Sequence, residues 1–216
     1  MSIDEEKRLA ADSAAALIEP GTRVGLGTGT TVAFLLMAIA RLDVRARFVT
    51  TSAHTQDAAR ALGIAVETFE TFDELDLAID GADQIAPDGW LVKGRGGAHL
   101  REKIVAAAAR RFVVIADSTK PVAALHAPVP LELRRFGLEA TLRELDSATV
   151  RDAEPSPDGG VLADYHGDVG DPRELAERLA SIPGVSAHGL FAPELVSDVI
   201  VATGKTVTRT SPGGPR

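Results

Sequence analysis

Residues 22–42 read TRVGLGTGTTVAFLLMAIARL, and this stretch decides the fold. TRVGL (22–26) is short, apolar and suited to a buried strand, while TTVAFLLMAIARL (30–42) repeats apolar side chains at helical spacing. The glycines between them permit the sharp turn that joins a strand to a helix. Strand, glycine turn and helix in this order open a parallel α/β sheet.

Working outward, the alternation continues. RARFVTT (45–51) reads as a strand, 55–62 as a helix, and IAVETF (64–69) as a strand. LDLAID (75–80) and the short WLVK (90–93) follow as strands, HLREKIVAAAARR (99–111) as a helix and FVVIAD (112–117) as a strand. The N-terminal MSIDEEKRLAADSAAALIEPG reads as an amphipathic acidic helix. Such alternation implies a parallel sheet covered on both faces. After Lys120-Pro121 the texture changes: PVPLEL, FGLEATLREL, ATVRDA, VLADYHG, DPRELAERLASI and VSAHGLF suit a split β-α-β-β-α-β unit. DVIVAT (198–203) reads as a strand returning to the first sheet. The expected architecture is an α/β fold: a Rossmann-like, mostly parallel sheet domain of residues 1–125 plus 197–216, with an inserted small α+β (ferredoxin-like) domain of residues 126–196.

Composition narrows the function. With 45% hydrophobic but only 4% aromatic residues, the core must be aliphatic. A net charge of −8 without a basic stripe argues against nucleic acid as a partner. Cysteine is absent, which removes disulfides, thiolate nucleophiles and cysteine metal sites. The N-terminus carries no signal peptide, and no run reaches the roughly 18 apolar residues of a membrane span. A cytoplasmic protein is therefore expected, with disorder only in TSPGGPR (210–216). Five scattered histidines (54, 99, 126, 166, 188) show no paired spacing, so neither a metal nor a cofactor is expected.

GLGTGTT (25–31) sits where a phosphate turn belongs, with helix N–H groups and three threonine hydroxyls available to an anion. A dinucleotide fingerprint would need glycine at Thr30, and GKT at 204–206 lacks both the upstream glycine, replaced by Val199, and a following helix. A turn that merely packs helix on strand is the alternative. Asp80 and Asp83, in IDGAD, fall at a strand end where open sheets bind ligands, or else form an Asx turn. Lys93 ends the next strand on the same rim and enters GRGG. With five lysines against eighteen arginines, Lys93 and Lys120 invite a proton-exchanging role, although a surface lysine fits composition equally well. Glu102 faces the apolar set Val105, Ala106 and Ala109 in its helix, as does Arg101 with its own neighbours. The alternative for Glu102 is a helix-dipole carboxylate. Trp90 and Tyr165 read as packing groups. A phosphate cradle, two aspartates, a lysine and a semi-buried carboxylate can together move a proton beside a carbonyl and stabilise an enediolate.

The motifs VGLGTGTT, IDGAD, KGRGGAHLREKIVA, FVVIADSTK and PGVSAHGLFAP, in this order, resemble the type A ribose-5-phosphate isomerases. The resemblance implies a homodimer or homotetramer that needs no metal or cofactor and interconverts D-ribose 5-phosphate and D-ribulose 5-phosphate. It implies that Glu102 is the base and that Thr28, Gly29, Thr30 and Thr31 hold the phosphate of the phosphosugar. Asp80 and Asp83 would meet the sugar hydroxyls and assist ring opening, with Gly81 and Ala82 as substrate-binding residues between them. Lys93, Gly94, Arg95 and Gly96 would line the reacting end, and Lys120 would complete the pocket. Departures stand at Gln84, where the family usually has glutamate, at Thr30 for a common serine, at Arg95 for a frequent glycine and at His99 for an aliphatic residue. His99 could be a pH-sensitive group, a sugar contact or an exposed side chain. Other readings are an isomerase of a different phosphosugar, a sugar-phosphate sensor and, by fold analogy alone, a CoA-transferase-like enzyme.

Overall fold

The structure is a computed structural model that describes residues 1–42 and 44–212. These divide into two compact units, Met1–Ala82 with Arg101–Lys120 and Pro193–Arg216, and Asp83–Leu100 with Pro121–Ala192. Of the tail expected to be disordered, 210–216, Thr210 instead ends a strand and the Ser211 hydroxyl donates to Asp198 at 3.0 Å, while 213–216 lie outside the described residues.

The first unit opens with helix α1 (Ile3–Ala15), started by a Ser2–Glu5 capping box that satisfies two end N–H groups. Strand β1 (Arg23–Leu26), helix α2 (Thr30–Leu42), strand β2 (Arg47–Thr50) and helix α3 (Ala53–Ala61) follow the expected alternation. Strand β3 (Leu77–Gly81) comes next; β4 (Gln84–Ile85) and β5 (Leu91–Val92) belong to the second unit. Helix α4 (His99–Ala108) follows, within which the first unit resumes at Arg101, and then strand β6 (Phe112–Asp117). After the second unit's β7 to β11, described below, it closes with β12 (Asp198–Thr203) and β13 (Thr206–Thr210). The sheet order is β13-β12-β6-β3-β1-β2, parallel throughout except for the β12–β13 hairpin.

Val24, Leu26, Ile79, Val113 and Ile115 point from the sheet into an aliphatic core with Ala10, Ala14, Leu35 and Ile39 of α1 and α2. On the opposite face, a Cβ on Gly25 would lie 2.4 Å from Val105 Cγ1 of α4, so glycine there lets that helix approach β1. Helices thus cover both faces, as parallel pairing requires. Glu6 is buried and accepts N–H bonds from Ser118 at 3.0 Å and Gly204 at 2.7 Å, tying α1 to the turns after β6 and β12.

The second unit holds β7 (Val129–Leu133), helix α5 (Leu138–Leu145), β8 (Ala148–Val150), β9 (Val161–Tyr165), helix α6 (Pro172–Ser181) and β10 (Val185–His188), the split motif read from sequence. Its sheet order is β10-β7-β9-β8, wholly antiparallel. β11 (Leu190–Phe191), β5 and β4 form a separate three-stranded sheet. Trp90 and Tyr165 are core residues, packed with Leu131, Leu133, Leu175 and Leu179.

Three local expectations change. IAVETF makes one bridge, Val66 with Phe48, and then enters a 3-10 turn at Phe69–Thr71. β2 is only four residues long and offers this segment little edge to pair with. VSAHGLF splits at Gly189 between two sheets, β10 pairing with β7 and β11 with β5. WLVK joins that small antiparallel sheet and not the parallel one, so Lys93 does not end a strand of the parallel sheet.

Candidate active site

In the first unit the site is built where β1 hands the chain to α2. Gly27 is buried, and a Cβ there would sit 1.8 Å from Asp80 Cγ and 1.9 Å from its Oδ1. Only glycine leaves room for the Asp80 carboxylate under the turn. Asp80, buried in β3, accepts the Thr28 N–H at 3.1 Å and the Gly81 N–H at 2.7 Å on Oδ1. Its first role is therefore to anchor the glycine loop, while its bond to Gly81 reaches only the next residue, one short of an Asx turn. Gly29 (φ +125°) and Thr30 are exposed, Thr31 is buried, and the Gly29 carbonyl accepts from Ala33 N–H at 3.0 Å in the first turn of α2.

Glu102 lies in the first turn of α4 and is only 4% exposed, whereas its neighbour Arg101 is half-buried. Periodicity treated the two alike; packing separates them. Beside it, burial pushes the Lys103 ammonium down to about 7, so this side chain carries only part of its charge at neutral pH. Lys120 is half-buried in the turn after β6, its N–H donating to the Asp117 carbonyl at 3.3 Å. Asp117, fully buried, accepts the Thr119 N–H at 2.9 Å and also the Thr119 hydroxyl, which fixes that turn.

In the second unit, Asp83 and the loop that follows Lys93 meet directly. Asp83 N–H donates to the Val92 carbonyl at 2.8 Å, and its Oδ2 accepts the Arg95 N–H at 3.0 Å. The Arg95 guanidinium is largely exposed, 3.8 Å from Asp83. Lys93 is buried, with its N–H on the Gly189 carbonyl at 2.8 Å and its ammonium 5.4 Å from the Phe191 ring centroid. A Cβ on Gly189 would stand 2.1 Å from the Lys93 carbonyl, which explains the glycine inside VSAHGLF.

The loop 94–97 is folded tightly. Gly97 N–H closes onto the Gly94 carbonyl at 3.0 Å, while Arg151 donates to the Gly94 and Arg95 carbonyls at 3.1 and 3.2 Å. Arg151 is itself oriented by a two-pronged bond to Asp164 at 2.6 and 2.8 Å. Gly94 takes φ +109°, and a Cβ on it would lie 2.7 Å from His99 Nδ1. His99 is therefore fully buried beneath the loop, which removes the exposed option. Gln84 is also resolved: its amide donates to the His126 carbonyl at 2.8 Å and accepts the His126 N–H at 2.9 Å. A carboxylate could not make both bonds.

Sequence reasoning missed a second ring of residues. Thr51, Ser52 and Thr55 gather around the Thr28 hydroxyl, and Arg151 holds the lysine loop. Ser52 as the N-cap of α3 was legible, because a serine before a helical segment is a start signal. Among the described residues no group of three or more His, Asp or Glu side chains could hold a metal, and no helix is long and apolar enough to cross a membrane.

In the first unit, a Rossmann-like sheet with an anion-ready glycine turn and a buried carboxylate defines the class: an α/β fold with a turn suited to an anion. The comparisons are more specific. Residues 47–206 match the family ribose 5-phosphate isomerase A (phosphoriboisomerase A). The chain is 42% identical to the ribose-5-phosphate isomerase A of Gluconobacter oxydans, over 91% of this chain and 92% of that one. The crystal structure of ribose 5-phosphate isomerase A from Neisseria gonorrhoeae superposes with a TM-score of 0.93 at 30% identity, covering 98% of each chain. A D-ribose-5-phosphate isomerase in complex with phospho-erythronic acid superposes with a TM-score of 0.91 at 31% identity, covering 98% of this chain and 100% of that one. The chain belongs to the ribose 5-phosphate isomerase A family.

Proposed function

We propose that this chain interconverts D-ribose 5-phosphate and D-ribulose 5-phosphate by moving one proton between C2 and C1 through an enediolate. The observation that carries the mechanism is Glu102, a carboxylate 4% exposed in the first turn of α4, in a chain of this family. Its carboxylate removes the C2 proton of the open-chain aldose, and the C2 electron pair closes the C1–C2 double bond as O1 takes up negative charge. The protonated Glu102 then returns that proton to C1 while the O2 hydroxyl proton passes to O1. No atom is gained or lost.

The other roles are those the family resemblance implies, and the kind of group each residue supplies supports them. Lys93, with Gly94, Arg95 and Gly96, stabilises the oxyanion, for which a compact ammonium is suited. Asp80 and Asp83, with Gly81 and Ala82, receive sugar hydroxyls, Asp80 assisting ring opening. The loop Thr28–Thr31 holds the phosphate and Lys120 completes the pocket. The enzyme acts in the cytoplasm as a homodimer or homotetramer; the 97% exposed Phe136 supports the association, which light scattering would check.

The test is to incubate the protein with ribose 5-phosphate in D2O and follow ketose formation and deuterium at C2. Glu102→Gln should lower turnover and exchange at least about a thousandfold while substrate still binds. Turnover within tenfold of wild type would remove Glu102 from the role of base.

A further inference from the structure

Each hydroxyl owns one hydrogen, so a cluster of hydroxyls can be read as a directed chain. Thr28 Oγ1 donates to Ser52 Oγ at 2.7 Å, Ser52 Oγ donates to Thr55 Oγ1 at 3.1 Å, and Thr55 Oγ1 donates to the Gly27 carbonyl at 3.0 Å. Thr28 Oγ1 also stands 3.1 Å from Thr55 Oγ1, a contact left without a hydrogen once Thr28 donates to Ser52 and Thr55 to Gly27; in that arrangement Thr51 is the donor in its 3.0 Å contact with Thr28. The chain runs one way: Thr51 to Thr28 to Ser52 to Thr55 to the Gly27 carbonyl. It begins and ends on buried residues, Thr51 being 1% and Thr55 3% exposed. Ser52 is also fixed from the other side, because its oxygen caps α3 by accepting the Thr55 N–H at 3.2 Å.

We propose that Thr51, Ser52 and Thr55 are positioning residues of the isomerase, which through Thr28 hold the turn that receives the substrate's phosphate; this rests on the function proposed above. The chain grips the turn at the Thr28 side chain and at the Gly27 carbonyl, while Asp80 holds it at the Thr28 N–H. One consequence is specific. Both hydrogens that Thr28 could offer are committed inside the protein, so the phosphate draws its donors from Gly29, Thr30 and Thr31. Thr28 serves as the hinge pin of the loop and not as one of its anion donors.

The experiment compares Thr55→Val with Thr55→Ser, measuring kcat and KM for ribose 5-phosphate and, separately, the Kd for inorganic phosphate by 31P NMR titration. Thr55→Val keeps the shape but removes the donor to the Gly27 carbonyl and the acceptor for Ser52. KM and the phosphate Kd should each rise about tenfold with kcat within about threefold, and Thr55→Ser should restore both to within about twofold. Unchanged KM and phosphate Kd in the folded valine variant, a loss confined to kcat, or failure of the serine variant to rescue would overturn the proposal. If Thr55→Val does not fold, Thr51→Val against Thr51→Ser makes the same comparison at the other end of the chain, with about a threefold effect expected. A wild-type protein that binds phosphate but forms no ketose would sink the isomerase reading alone, and the phosphate arm would still decide the positioning roles.

Discussion

Replacing Gly27 by alanine tests whether the glycine loop exists to admit a carboxylate. The new Cβ would lie 1.8 Å from Asp80 Cγ, 1.9 Å from Oδ1 and 2.3 Å from Oδ2. Ordinary carbon contacts begin near ~3.5 Å, so turn and carboxylate must separate by roughly 1.5 Å. Asp80 is 3% exposed within β3, so it cannot swing into solvent, and its bonds to the Thr28 and Gly81 N–H groups must break or lengthen. Overpacking costs about 1–3 kcal/mol, and hydrogen bonds to a charged acceptor add about 1.5–3 kcal/mol, of which part is recovered by relaxation. A net loss of about 2–4 kcal/mol should lower the melting temperature by about 5–15 °C in a chain of this size. Misplacing the loop by about 1 Å should reduce kcat/KM at least about a hundredfold. The decisive control is the cycle with Asp80→Ala, which deletes the three atoms nearest the new Cβ. In that background Gly27→Ala should cost less than about 1 kcal/mol by urea denaturation, giving a coupling of about 1.5–3 kcal/mol, while activity stays lost. Penalties that simply add, or a Gly27→Ala protein melting within about 2 °C of wild type, would refute the account.

Two further substitutions address groups outside the reacting set. Gln84→Glu, the residue more usual in the family, should destabilise by about 1–3 kcal/mol near neutral pH, because a carboxylate would face the His126 carbonyl now 2.8 Å from the amide nitrogen. An equal or higher urea midpoint would show that the two-way bond to His126 is not what selects glutamine. Asp76→Asn probes acid stability: bonds from the Arg23 guanidinium and the Arg23 N–H hold the Asp76 carboxyl at about 2, below its ordinary 3.8. A depressed carboxylate stabilises the fold above the unfolded value and loses that contribution as pH falls towards 2. After solvent screening the contribution is about 1 kcal/mol, so the variant should be weaker by that amount at pH 7 and converge on wild type as pH falls below about 4. Parallel stability curves from pH 5 to pH 2.5 would contradict it.

The fold was legible where one segment carries its own signal. FVVIAD and DVIVAT became β6 and β12, residue for residue, because an apolar run of four or five closed by aspartate or threonine needs no knowledge of its partner. IAVETF had the same texture but depended on the length of β2, which lies elsewhere in the chain. The division of VSAHGLF at Gly189 depended on the Lys93 carbonyl, nearly a hundred residues upstream and beyond reach of any pattern. β13 was readable, since Gly204 and Lys205 form a two-residue hairpin turn, yet GKT drew attention as a failed nucleotide motif.

The candidate site shows what the pattern conveys and what it hides. Five glycines among the charges of 79–103 suggest loose backbone when read as letters. Most of those with close neighbours mark the reverse, a place already filled: Gly94 by the His99 ring at 2.7 Å and Gly97 by Leu162 Cδ1 at 2.5 Å, with Gly27 upstream filled by Asp80. A missing side chain at such positions rigidifies, because the neighbour that uses the space becomes immobile. Gly29 is different in kind: it takes φ +125°, and a Cβ on it would meet no atom within 4 Å. Steric crowding explains Gly27 and backbone conformation explains Gly29, so the two glycines of GTG serve separate purposes two residues apart. The first seats the carboxylate that anchors the turn; the second lets the turn end with its N–H groups open to an approaching anion.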